Sequence, residues 1–484
     1  MKQRQWALST LLAFACGDDG SPAVCDTECS PTTSSPTAGA TQPASSSADT
    51  ATTATTTPPT TTTASTLTGV DSSSEGTDTG PPPPVMPLRC GDPRRPMALP
   101  SFADPIELQA QQGTGGSAAG DLDGDGRDEF VAQIQFRIYD WEDGAWSSHQ
   151  PLPNLNGRGN RFAGDIELAD VDQDGILDIV VPDSDNNGDA GGISWFRNPG
   201  SLDAEWTEST IATFDGNGEG NQVAHLSELE VGDIDGDSWP DVVVRDISHG
   251  VWVVIQQTGG GGWEPRQFIP VLPREGLRLW DPDDNGRLDI LLNGVWLETP
   301  PDPVSGEYQL RPIVGMEDWY APDLSNASVR DYASKVETAD FDGDGRVDVA
   351  ITNSEELAGN SPSKPRGISV FLQPDDLVND PWAEVVVTAD HWSWHTLMIA
   401  DFDFDGSPDL LTAISAVGTD NAGDDIHLWL NDGSGGSFAG QSISMGYTVY
   451  QGIIGDPDGD GDCDLMAPDH FDSGPVRLFE NTTP

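Results

Sequence analysis

Residues 339–354 read ADFDGDGRVDVAITNS. Three aspartates alternate (Asp340, Asp342, Asp344), Gly345 follows, and Asp348 comes three residues later. The chain then turns apolar and β-branched. Four carboxylates in nine residues repel one another unless a cation sits among them. A hard divalent ion such as Ca²⁺ takes six to eight oxygens in a flexible shell. Carboxylates at positions 1, 3 and 5 wrap one side of a tight turn, and the carbonyl of position 7 and the acid of position 9 close the other. Glycine at position 6 permits the bend. The stretch therefore reads as a cation cage that leads straight into a strand.

The pattern D-x-D-x-D-G-x-x-D occurs seven times between Asp121 and Asp464, at spacings of about 48 to 63 residues. The ligand sets it predicts are Asp121, Asp123, Asp125, Arg127 and Glu129; Asp170, Asp172, Asp174, Ile176 and Asp178; and Asp233, Asp235, Asp237, Trp239 and Asp241. They continue with Asp281, Asp283, Asn285, Arg287 and Asp289; Asp340, Asp342, Asp344, Arg346 and Asp348; Asp401, Asp403, Asp405, Ser407 and Asp409; and Asp456, Asp458, Asp460, Asp462 and Asp464. In each set the fourth residue offers its carbonyl. Up to seven structural Ca²⁺ ions are expected. The third and fourth loops are expected to bind more weakly, because Ser238 replaces the glycine and Asn285 the third carboxylate. An EF-hand or dockerin loop needs Glu at position 12 and flanking helices. Position 12 here is Ala132, Val181, Val244, Leu292, Ile351, Thr412 or Ala467, and runs such as DIVVP and DVVVR read as buried strand.

Each unit continues in the same way. A second apolar run follows (GISWFRNPG, GVWVVIQQTG, GISVFLQPDD), then a turn, then a run opened by an aromatic residue: Trp146, Trp206, Trp263, Tyr308, Trp382 or Phe438. Four strands per unit, repeated seven times, make a seven-bladed all-β propeller. The seventh unit ends at VRLFENTTP without a fourth run, and an orphan run, SFADPIELQ, precedes the first acidic loop. This N-terminal strand is expected to complete blade seven and remove two open edges. It brings Cys90 towards Cys463 in the last acidic loop, so a Cys90–Cys463 bond is expected.

These motifs resemble the FG-GAP and VCBS repeats of integrin-α-type propellers, over residues from about 100 to 484. The resemblance implies calcium at positions 1, 3, 5, 7 and 9 of all seven loops. It places those loops on the lower face and ligand recognition on the opposite, upper face.

The 484 residues carry 81 acidic and 22 basic side chains, a formal charge of −59, which argues against nucleic acid or an anionic membrane surface as partner. Disorder would be the plain reading of such charge, but 15 Trp, 15 Phe and recurrent apolar runs favour a folded, cation-loaded body. Residues 1–15 read as an export signal, with Lys2 and Arg4 before a short apolar core. Ala13, Ala15 and Cys16 resemble a lipoprotein signal, which implies lipidation of Cys16 and an outer-membrane or cell-surface location. Residues 16–87 are rich in Thr, Ser and Pro and read as a stalk, so the propeller is assigned to 88–484. At ~3.1 Å per residue the Thr/Ser/Pro tract reaches roughly 170 Å.

The scarce basic and imidazole groups fall in the expected upper loops. Arg161, His225, His249, His391, Trp392, Trp394, His395 and His470 form the candidate ligand surface, suited to a glycan or an anionic protein. A lyase using His225 or His395 as base is the alternative, and a purely structural module is a third reading. H-E-x-x-H, G-x-S-x-G and a P-loop lysine are absent.

Overall fold

The computed structural model describes Cys90 and residues 96–484, apart from 110–115, 134–135, 153–160, 163, 186–189, 216–225, 247–249, 271–274, 317–318, 320–334, 354–366, 392, 416–424 and 470–474. The signal, Cys16 and the stalk lie outside the described residues.

Seven antiparallel sheets form the seven blades. The first strands, which line the axis, are Ser117–Gly120, Glu167–Ala169, Leu226–Gly232, Leu277–Trp280, Val336–Ala339, Trp394–Ala400 and Ile453–Gly455. The second strands are Glu129–Ala132, Asp178–Asp185, Asp241–Asp246, Asp289–Leu292, Asp348–Thr352, Asp409–Ile414 and Asp464–Pro468. Each second strand therefore begins at position 9 of an acidic loop. Register is the same throughout: Gly120 pairs Glu129, Ala169 pairs Asp178 and Gly455 pairs Asp464, and the other four blades follow suit. The acidic loop is a hairpin connection of constant length.

Third strands run Arg137–Glu142, Ala190–Arg197, Gly250–Gln256, Val295–Glu298, Ile368–Leu372, Asp425–Asn431 and Val476–Phe479. Fourth strands run Ala145–His149, Thr207–Asp215, Trp263–Pro270, Gln309–Pro312, Ala383–Thr388 and Phe438–Met445. The expected aromatic residues stand at the first position of these strands or within one residue of it in all six. Blade two carries an additional short piece, Arg161–Phe162, paired to its second strand.

Blade seven takes its fourth strand from the N-terminus. Ile106–Gln109 pairs the last strand through Ile106–Leu478 and Glu107–Arg477, and Phe102 bridges Asn481. Cys90 and Cys463 are disulfide-bonded, with Cα atoms 5.2 Å apart.

The apolar side chains divide into seven clusters, one at each junction between neighbouring blades. At the ring closure Phe130 and Tyr139 of blade one meet Met466, Val476 and Leu478 of blade seven. A sheet packed on both faces has no wet side, so second strands read as unbroken apolar runs instead of alternating ones. Among the described residues no helix is long and apolar enough to cross a membrane.

Candidate metal loops and axial channel

All seven acidic loops share one wiring. The position 1 carboxylate accepts from the backbone N–H of position 6: Asp121 from Gly126 at 3.0 Å, Asp340 from Gly345 at 2.9 Å, Asp456 from Gly461 at 3.0 Å, and likewise in the other four. The position 5 side chain accepts from the N–H of position 7 in every loop. The carboxylates fold the turn, and the folded turn gathers them. Asp121, Asp123 and Glu129 bring ligand oxygens within 4.8 Å of one another; so do Asp170, Asp172 and Asp174; Asp233, Asp235 and Asp241; Asp340, Asp342 and Asp344; and Asp401, Asp403 and Asp409. These groups could hold a metal ion.

Position 9 is the buried end of each cage. Its carboxylate is at most 2% exposed in all seven blades. Burial pushes Asp178 up to about 6, Asp241 and Asp348 to about 7, Glu129, Asp289 and Asp409 to about 8, and Asp464 to about 9. Backbone N–H donors resist that rise. Position 2 donates to it in five blades, as Leu122 does to Glu129 at 2.7 Å and Phe341 to Asp348 at 2.8 Å. In blades four and seven position 2 is Pro282 or Pro457, which has no N–H. Asp289 Oδ2 is correspondingly buried without a hydrogen-bond partner, as are Glu129 Oε1, Asp172 Oδ1 and Asp456 Oδ1. Buried carboxylate oxygens left open this way fit a hard, oxygen-seeking cation.

The position 9 acid also joins the blades. In six blades its other oxygen accepts from a residue at or within two places of the end of the third strand: Asn198, Gln256, Thr299, Gln373, Asn431 or Asn481. Four of these send a side-chain amide to the position 2 carbonyl of the preceding blade. Asn198 reaches Leu122 at 2.6 Å, Gln256 reaches Val171 at 3.2 Å, Gln373 reaches Pro282 at 2.8 Å and Asn431 reaches Phe341 at 2.8 Å. Four of the loops are thereby tied to a neighbour. The recurrent Asn or Gln at the end of the third run is the sequence signal for this clasp.

Two turn positions are left-handed. Position 6 has φ near +90° where it is Gly126, Gly175, Gly345, Gly406 or Gly461, and Ser238 is forced to +72°. Position 4 is also left-handed, including Gln173, Asp284 and Phe404. A non-glycine residue there costs about 1–2 kcal/mol. Loop three nevertheless gathers its carboxylates. Ser238→Gly is therefore expected to stabilise the protein by about 1 kcal/mol, read as a higher denaturant midpoint at unchanged m-value.

Of the predicted upper-face residues, Arg161, His391, Trp394 and His395 lie among the described residues. His391 is exposed, at a φ of +64°. Trp394 is 1% exposed, donates to the Asp390 carbonyl at 3.2 Å and packs edge-on to His427 and Trp429. His395 is equally buried. Its Nδ1 meets the Tyr450 carbonyl at 2.7 Å, so that nitrogen carries the proton, and its ring stacks on Tyr450 at 4.1 Å. Arg161 sits in the short piece paired with Asp185. His225, His249, Trp392 and His470 lie outside the described residues. His427, which stacks on Trp429 beside Asp425, was not singled out from sequence because it lies inside a strand.

His395 borders the axial channel, a cavity of about 1230 Å³. Its wall is set by residues three and five places before each acidic loop. Three places before stand Ala118, Glu167, Glu230, Arg278, Glu337, Met398 and Ile453; five places before, the charged members are Asp165, Glu228 and Lys335. Blades two to five are charged there, whereas Ala118, Met398 and Ile453 make the opposite wall apolar. Arg278 Nε donates to Glu337 at 2.9 Å, and its guanidinium meets Glu230 at 2.5 Å. Lys335 donates to Glu228 at 3.0 Å and lies 3.7 Å from Glu275.

Burial raises the pKa of Asp165, against the Leu229 N–H, Lys335 and Arg278, with Glu228 adding to the rise. Burial likewise raises Glu230, against Arg278 and with Glu337 and Asp165. An acid whose pKa is higher in the folded chain stabilises the fold while protonated, and that stability is lost as pH rises through the raised value. With calcium saturating, the melting temperature is expected to fall from about pH 5 to about pH 8, with Glu230 accounting for roughly 1–3 kcal/mol. Glu230→Gln should flatten that slope; an unchanged slope would refute the assignment.

The family profile described as FG-GAP-like repeat matches residues 170–244 and 340–412, each match spanning two acidic loops. No curated protein sequence matches this one. Among solved structures, the crystal structure of BBS1N in complex with ARL6DN, soaked with lead, is similar over 79% of this chain and 97% of that one, at 12% identity and a TM-score of 0.45. Residues 170–244 and 340–412 thus resemble FG-GAP-like repeats, and both stretches lie within a seven-bladed β-propeller.

Proposed function

We propose that this chain is an exported, lipid-anchored calcium propeller that acts as a cell-surface binding or adhesion module for a glycan or protein. The observation that supports this reading is the contrast between its two faces. The acidic loops keep one length and one wiring in all seven blades. On the opposite face the connections between second and third strands vary, from two residues between Leu292 and Val295 to fifteen between Thr352 and Ile368. A rigid scaffold carrying loops of variable length on one side is suited to recognition. Calcium would be held by positions 1, 3, 5 and 9 and the carbonyl of position 7, and would fix the blades that carry those loops. Cys16 would anchor the chain and residues 16–87 would hold the propeller clear of the surface.

The test is retention of the calcium-loaded protein on arrays of glycans and surface proteins, beside His391→Ala and Arg161→Ala. Binding that these changes weaken at unchanged melting temperature supports the proposal. Depolymerisation of a retained polysaccharide would replace it with the lyase reading. Cys16→Ser should release the protein from the membrane fraction.

A further inference from the structure

We infer that the chain's own N-terminal segment, residues 96–103, is a strap that seals the sixth acidic loop, so that a calcium ion held there leaves far more slowly than the ions of the other loops. The inference deepens the calcium reading of the loops and rests on it.

Loop six is the loop whose ligands are covered. Asp401 and Asp403, at positions 1 and 3, are 5% and 6% exposed, and Asp409 at position 9 is fully buried. In the other six loops positions 1 and 3 are partly or fully exposed, and of the three positions the ninth alone is buried. The tip of the turn shows the same contrast. Position 4 is exposed in the other six loops, whereas Phe404 is buried.

The strap reaches this loop and is fixed on both sides of it. The Ala98 N–H donates to the Asp403 carbonyl at 2.9 Å, a bond to the backbone of a ligand residue. The Pro100 carbonyl accepts from Gln441 Nε2 of blade six at 3.1 Å. Ser101 then joins blade seven, accepting from the Thr482 N–H at 2.6 Å and donating to Thr483 Oγ1 at 3.1 Å. Upstream, Cys90 is bonded to Cys463 and shares one apolar cluster with Phe402, position 2 of loop six, and Phe102 packs against the same cluster.

An ion leaves an open cage by trading its carboxylates for water one at a time. Asp405 at position 5 remains exposed, so water can displace that carboxylate while the three buried ones keep the ion. Release therefore waits for the strap to lift, a local opening that breaks the Ala98 and Gln441 bonds. Loop six then keeps its ion through a fall in external calcium that empties the open loops.

The test follows calcium itself. The full protein in saturating calcium is mixed in a stopped-flow instrument with an excess of a calcium-sensitive chelator. One ion per chain is expected in a separate phase, slower than the rest by about tenfold or more. Asp403→Asn should remove that phase, whereas Asp342→Asn, at the same position of the open loop five, should leave it in place. Ala98→Pro takes away the N–H on the Asp403 carbonyl and should make the slow ion leave with the others. Cys90→Ala with Cys463→Ala, which frees the upstream end of the strap, should speed it too and is the check if Ala98→Pro folds poorly. A calcium-binding protein with a single fast phase, a slow phase that survives Asp403→Asn, or one unmoved by both strap variants overturns the inference and leaves the calcium reading standing. A protein that binds no calcium overturns both.

Discussion

Removing calcium is expected to lower the melting temperature of residues 88–484 by about 12 °C. A ligand that binds only the folded state stabilises it by RT ln(1 + [L]/Kd), about 1.4 kcal/mol per site at ten times Kd. Calcium sites in extracellular modules have Kd values of about 10⁻⁴ to 10⁻³ M, so 10 mM Ca²⁺ meets that condition. Seven sites then contribute about 10 kcal/mol. At ~2.1 cal/mol/K per residue, a domain of about 400 residues has an unfolding entropy near 0.8 kcal/mol/K, which converts that energy to about 12 °C. The loops explain why so much stability would sit there. The position 9 acid is buried at each blade junction and bonds the residue that clasps the neighbouring blade in four cases. Loss of an ion leaves a buried carboxylate to be neutralised by a proton or endured as a charge, and both weaken the clasp. Scanning calorimetry with EDTA and with calcium, beside a count of bound ions, reads the effect. Equal melting temperatures with no bound calcium would sink the cage reading of all seven loops.

The blades were legible because the acidic loop is a hairpin of constant length: once position 1 is located, both flanking strands and their register follow. Phe102 and the orphan run were legible because a ring of seven four-stranded sheets cannot close on twenty-seven strands. The clasp was harder to see. Asn198, Gln256 and Gln373 stand in the quoted runs and Asn431 at the same point of its own, but an amide at the end of a strand reads as turn chemistry until a neighbouring blade supplies the carbonyl. The axial charges were hidden by averaging. Segments such as ELEVGD and KVETAD look like ordinary strands, and only the curvature of the ring gathers Glu230, Arg278, Lys335 and Glu337 from three blades into one cavity. The upper face was least legible, because Trp394 and His395 lie at the start of an inner strand, where burial wins over presentation.

Cutting the ring at its closure should have the second-largest effect. The Cys90–Cys463 bond spans 373 residues. Chain entropy for a loop of that size predicts a stabilisation of about 6 kcal/mol, at or above the top of the range seen for single disulfides. The native contacts around it are extensive enough to hold the closing strand without it. Ala103 donates to the Glu480 carbonyl at 2.8 Å, Thr482 to the Ser101 carbonyl at 2.6 Å, and Ala98 to the Asp403 carbonyl of blade six at 2.9 Å. Cys463→Ala paired with Cys90→Ala should therefore keep the fold while lowering its stability by several kcal/mol, mainly through faster unfolding. Deleting residues 88–109 goes further. It removes the bond and the fourth strand together, exposing the edge of Val476–Phe479 in blade seven, a strand whose Val476, Leu478 and Phe479 are fully buried. An open edge of that composition pairs with other chains. The truncated protein should aggregate or dimerise at concentrations where the double alanine variant remains monomeric, and light scattering separates the two. If both variants unfold alike, the disulfide alone closes the ring; if neither differs from the parent, closure is held by the blade junction of Phe130 and Tyr139 with Met466 and Leu478.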